Sequence, residues 1–162
     1  MNLDMLLVLA EKNHIDVVPY EMSGNLQALY VDGYVFLNTR LNEKEKVCVL
    51  AEEIGHHFTA DRNCLDQNQS ENLFCELKGR IWSYEVMLPV SQLNVAMYAG
   101  ITTVNQIAEF FQLTEDFVKE ALCYYFYSGQ INEKVPCEAA TSTKAHSKLL
   151  KQIVNDERMN VK

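Results

Sequence analysis

Apolar positions recur at helical spacing in residues 3–12, where Leu3, Leu6, Leu7, Leu9 and Ala10 predict a short amphipathic helix that stops near Asn13-His14. The pattern then switches to an extended period. Residues 15–20 are β-branched and aromatic but contain Pro19, which predicts an edge strand, because proline cannot donate to an inner ladder. Residues 26–31 and 34–38 alternate on either side of Asp32-Gly33, the dipeptide that most strongly predicts a tight hairpin. Helical spacing returns at Val47, Leu50, Ala51, Ile54 and Phe58, predicting a helix over 43–59 with an Asn42/Glu45 capping box at its start. A polar stretch from Asp61 to Ser70 reads as a loop, and a second long helix is predicted over 71–87, ending before Pro89.

Residues 91–127 are helical again. Ser91 reads as the cap of a short helix through Met97. Thr103 opens the next, Gln112-Leu113-Thr114 is a turn, and 115–127 form the last. Helix, short turn and Thr-capped helix make a helix-turn-helix pattern, so a DNA-binding regulator acting through 103–127 is one functional reading. The alternative is a helical hairpin packed on the preceding core. Glu115, Asp116 and Glu120 against Lys119 favour it, since that face would repel phosphate. After residue 130 the sequence turns polar, predicting a loosely attached or partly disordered tail. The expected organisation is a core over 1–90, a helical extension packed on it over 91–130, and a tail over 131–162.

The 162 residues carry a net charge of −8, which disfavours a nucleic-acid backbone as main partner. There is no leader pattern and no run of membrane-spanning length, so the expected location is the cytoplasm. The five cysteines are far apart with no C-x-x-C pair, which predicts reduced thiols. Oligomeric state leaves no trace in the sequence.

The chemistry concentrates in Leu50-Ala51-Glu52-Glu53-Ile54-Gly55-His56-His57. A metalloprotease helix carries H-E-x-x-H, two histidines one turn apart and a glutamate base. Here Glu53 stands at the base position and His56 at the second ligand, while Glu52 replaces the first histidine. At about 100° per residue, Glu52 and His56 share a face, and Glu53 with His57 makes a second such pair.

The segment from Val47 to Thr59 resembles the active-site helix of the ImmA/IrrE family of zinc metallopeptidases. It is most similar to a branch carried by phages and integrative elements of Gram-positive bacteria, in which glutamate often replaces the first histidine. Cys75 to Pro89 resembles the family's second helix, and Leu65-Asp66-Gln67-Asn68 fits the same branch. The resemblance implies a mostly helical α+β fold with a minimal zincin-like core. That core comprises a helix, a small antiparallel sheet with a hairpin, the active-site helix and a second long helix, followed here by the C-terminal helical hairpin. It implies a zinc cofactor held by Glu52 and His56, Glu53 as the catalytic group, and as substrate a repressor-like regulator of a mobile element.

The family's third ligand is an acid four residues before the aromatic Trp82, which aligns with Lys78. An ammonium group does not ligate zinc and would repel it, so Glu52 and Lys78 together weigh against a bound metal. Glu76 and Asp61 are the nearby acids that could substitute. An ion pair from Lys78 to Glu52 or Glu53 is expected instead. A catalytically inactive zincin-fold module that binds a partner protein, using aromatics near 124–127, is the alternative function.

Overall fold

The computed structural model describes residues 1–59 and 69–131, the side chains of 69–74 excepted. The predicted 61–70 loop, with Asp61 and the Leu65–Asn68 match, falls outside these residues apart from its last two positions, and so does the tail from 132 onward.

The chain begins with α1 (Leu3–Lys12), capped by the Asn2 side chain, and continues into β1 (Asp16–Tyr20), β2 (Ala28–Val31) and β3 (Tyr34–Asn38). Asp32 and Gly33 both take positive φ, 49° and 88°, which closes the β2–β3 hairpin as the sequence predicts. The sheet is not antiparallel throughout. Its order is β1-β3-β2, with β2 antiparallel and β1 parallel to β3. The hairpin returns β3 against β1, so β1 and β3 run the same way and β1, with Pro19, occupies an edge.

Helix α2 (Glu43–Thr59) follows, and its capping box is formed: Glu45 N–H donates to Asn42 Oδ1 at 3.0 Å, and Asn42 N–H donates to Glu45 Oε2 at 2.8 Å. Helix α3 (Gln69–Met87) packs along it, and α4 (Val90–Tyr98), α5 (Val104–Phe111) and α6 (Glu115–Tyr127) complete the described chain. The outcome is a mostly helical α+β fold with six helices and three strands among the described residues. Helix α4 is entered from Pro89 with no side-chain cap, so Ser91 does not have the expected role. The Thr103/Gln106 capping box of α5 is present, and Thr114 caps α6.

One hydrophobic cluster runs from Leu6 and Val35 through Leu50, Ile54, Leu77 and Tyr84 to Ile107, Val118 and Tyr125. Helix α6 gives its apolar face to this cluster and leaves Glu115 and Asp116 exposed. The aromatic run at its end is not a display surface. Tyr124 and Tyr125 are buried, and the Tyr125 hydroxyl lies 2.9 Å from the Tyr84 carbonyl and 2.8 Å from that of Leu88. Ring packing and these carbonyls draw Tyr124 and Tyr125 into the core, which agrees with a core role for the run and not with an exposed binding face at these two residues. Cys48 and Cys123 are buried thiols, whereas Cys75 is disulfide-bonded, so the thiols are not all reduced.

The contact that orients the site is glycine on glycine. A Cβ on Gly55 would fall on the Gly79 carbonyl oxygen, and a Cβ on Gly79 would fall on the His56 ring, both far inside van der Waals contact. Neither helix can therefore carry a side chain at the crossing. Gly55→Ala gains about 1 kcal/mol of helix propensity, but the forced separation of α2 and α3 should outweigh it. The expected net destabilisation is about 1–3 kcal/mol in urea unfolding; an unchanged or raised midpoint would show that the helices part freely.

Candidate metal centre

Helix α2 presents Glu52, Glu53, His56 and His57 toward neighbouring elements, and α3 brings Glu76 and Arg80 to meet them. Glu52, His56 and Glu76 each offer a ligand atom, and these atoms lie within 4.8 Å of one another. His56 Nε2 is 3.5 Å from Glu76 Oε2. The ring reaches this position because Gly79 leaves room for it. Glu52 and His56 are half-buried, and Glu76 stands at the exposed rim.

The third acid is thus Glu76, not a residue at position 78. Two residues along a helix rotate a side chain by about 200°, so Lys78 leaves the face that Glu76 occupies. The expected Lys78 ion pair with Glu52 or Glu53 is not formed. The cation on Glu52 is Arg80, whose Nε donates to Glu52 Oε1 at 2.8 Å and lies 3.5 Å from Glu76 Oε1. Its Nη1 is 3.6 Å from Glu120 Oε2 on α6, and the Tyr84 hydroxyl donates to the same oxygen at 2.8 Å. Arg80 was not legible from the metalloprotease motif, which ends with the ligands. Its signal was the spacing Glu76, Arg80, Tyr84, which repeats every four residues and marks one face of α3.

His57 does not join the cluster. Its Nδ1 is hydrogen-bonded to the Tyr30 hydroxyl at 2.7 Å, which ties α2 to strand β2. The Glu53/His57 pair therefore divides. Glu53 stays beside the centre, where burial, then the Glu52 and Glu76 charges, push its carboxyl up to about 7. Burial also raises the Glu52 carboxyl, and Arg80 works against that rise.

The family model of the IrrE N-terminal-like domain, a peptidase family, matches residues 10–122. This chain belongs to that family. No curated protein and no solved structure shows a significant match to it. The IrrE-like match runs from the last turn of α1 into α6 and so includes every residue of the centre. Members of the IrrE-like family are typically zinc-dependent, and Glu52, His56 and Glu76 fit such an ion: one imidazole and two carboxylates are ordinary zinc donors, and three protein ligands leave a position open. This donor set includes Glu76 and does not draw on position 78. None of the described helices is long and apolar enough to cross a membrane.

The Glu53 shift has a measurable sign. Its folded value near 7 exceeds the ordinary 4.5, so between these values the folded protein binds more protons than the unfolded chain. Its contribution to stability is full below about pH 4.5 and is lost as pH rises through about 7. In metal-free protein, wild type should lose on the order of 2 kcal/mol relative to Glu53→Gln across that window, measured by urea unfolding in chelator. Parallel pH profiles for the two proteins would mean that Glu53 is already ionised when folded.

Proposed function

We propose that the protein is a zinc-dependent endopeptidase in which Glu52, His56 and Glu76 hold the metal and Glu53 handles the proton. The observation that carries this reading is the convergence of the three ligand atoms within 4.8 Å from two helices fixed by the glycine crossing. Zinc bound there would polarise a scissile carbonyl and acidify a water. Glu53, next to Glu52 on α2, would take a proton from that water and pass it to a leaving amine. The Tyr30 hydrogen bond on His57 supports the same function by holding the turn of α2 that carries Glu53 and His56.

The substrate in this proposal is a repressor-like regulator encoded with the protein on a mobile element, as the resemblance to the phage and integrative-element branch implies. A net charge of −8 favours encounter with a basic protein over encounter with DNA. A second reading, a metal-free module that binds the regulator without cleaving it, is favoured by the 2.8 Å Arg80–Glu52 pair, which satisfies that carboxylate without zinc.

Metal analysis of untagged protein purified without chelator tests the ligand set. Near-stoichiometric zinc in wild type, lost in His56→Ala, is expected; equal zinc in both would remove the assignment. Co-expression with a repressor-like regulator that the wild type cleaves should show cleavage that Glu53→Gln lowers about 100-fold or more while zinc content persists. Undiminished biological activity of Glu53→Gln would favour the binding module.

A further inference from the structure

Arg80 has partners on both sides of the centre. Its Nε faces Glu52 at 2.8 Å and Glu76 at 3.5 Å, two of the three residues whose ligand atoms converge. Its Nη1 faces Glu120 on the opposite side at 3.6 Å, farther than a good hydrogen bond. Next to Glu52 on that side lies a cavity of about 340 Å³, lined by Arg80, Glu120, Asp116, Thr114 and Cys48 among others. Tyr84 holds the Glu120 carboxylate in place at 2.8 Å, and Lys119 is directed to Asp116 at 3.0 Å instead.

We propose that Arg80 is an internal competitor of the metal, released from Glu52 and Glu76 onto Glu120 when the ion enters. The inference rests on the ligand set proposed above. A guanidinium does not lose its proton in proteins, so it cannot yield to a second cation by becoming neutral. Like charges a few ångströms apart in a half-buried site repel strongly, so the side chain has to move. The direction of that movement is fixed by what surrounds it. Glu120 is already the third carboxylate within reach, and the cavity beside it gives the guanidinium space to close the remaining gap. The backbone of α3 does not need to shift, because the arginine stem alone supplies the travel.

Two properties follow. Without metal, Glu52 and Glu76 are not left as bare neighbouring anions, since Arg80 neutralises them. With metal, affinity is the difference between what the ion gains and what Arg80 gives up, so it is lower than the ligand set alone would deliver. Glu120 and Tyr84 act through Arg80 as positioning residues and touch no ligand atom of the triad.

The test is competitive zinc titration of full-length, metal-free protein against a chromophoric chelator, with circular dichroism to verify folding. Arg80→Met should tighten zinc binding about tenfold or more, the scale of effect that groups behind metal ligands commonly have. Arg80→Lys, which keeps the charge but has a shorter stem and no fork, should shift affinity in the same direction by a smaller factor and serves if the Met variant unfolds. Glu120→Gln should weaken binding severalfold in wild type and leave it unchanged in the Arg80→Met background.

Zinc bound through His56 with equal or weaker affinity in Arg80→Met would overturn the competition while leaving the ligand set intact. An equal effect of Glu120→Gln in both backgrounds would overturn the release onto Glu120. Absence of His56-dependent binding in both wild type and Arg80→Met would overturn the ligand set itself, and the competition with it. Binding that appears only in Arg80→Met would support the proposal in its strongest form.

Discussion

The backbone-to-backbone approach of α2 and α3 at Gly55 and Gly79 is the constraint on which the centre depends. Each glycine is required by the other helix: one leaves space for a carbonyl, the other for an imidazole. Helices at ordinary separation would hold Glu76 too far from His56 for the two to share an ion, and Arg80 too far from Glu52 for a 2.8 Å bond. The glycines contribute no chemistry of their own, and each weakens its helix. What they provide is proximity, and every electrostatic feature of the site follows from it.

That proximity concentrates negative charge. Glu52, Glu53 and Glu76 stand around one half-buried point, with Glu120 behind Arg80. Burial makes the charges costly, which is why the Glu53 carboxyl rises to about 7 while Glu52, though raised, has a guanidinium against it. Within one helix turn the two adjacent glutamates thus acquire different characters. One is paired with a guanidinium, and the other holds its proton toward neutral pH. The difference comes from what α3 presents to each.

Much of this fold was legible from local pattern. Helices α1 and α2, the Asp32-Gly33 hairpin and the caps at Asn42, Thr103 and Thr114 are decided by nearby residues, and periodicity or capping chemistry identifies them. The parallel pairing of β1 with β3 was not, because strand order depends on how the hairpin docks and not on any strand's own residues. In the site, Glu52, Glu53 and His56 could be grouped because one helix carries them. The choice between Glu76 and Lys78 could not be made by aligning a motif, since a shift of two positions turns a side chain to the far side of α3. Helical arithmetic within 76–84 would have put Glu76, Arg80 and Tyr84 on one face, but aligning on Trp82 directed attention elsewhere.

The Tyr125 hydroxyl at the end of α6 serves the carbonyls of Tyr84 and Leu88, where α3 finishes and the chain turns through Pro89. The Tyr84 carbonyl already accepts the Leu88 N–H at 2.8 Å, so the hydroxyl adds a second bond there, whereas for the Leu88 carbonyl it supplies a partner that a buried oxygen is costly to lack. The family's shared region closes at residue 122, one turn short of this tyrosine. A chain trimmed to the matched region would therefore lose this hydroxyl and expose the end of α3, the helix that carries Glu76 and Arg80, to fraying from a place that no comparison of motifs would mark.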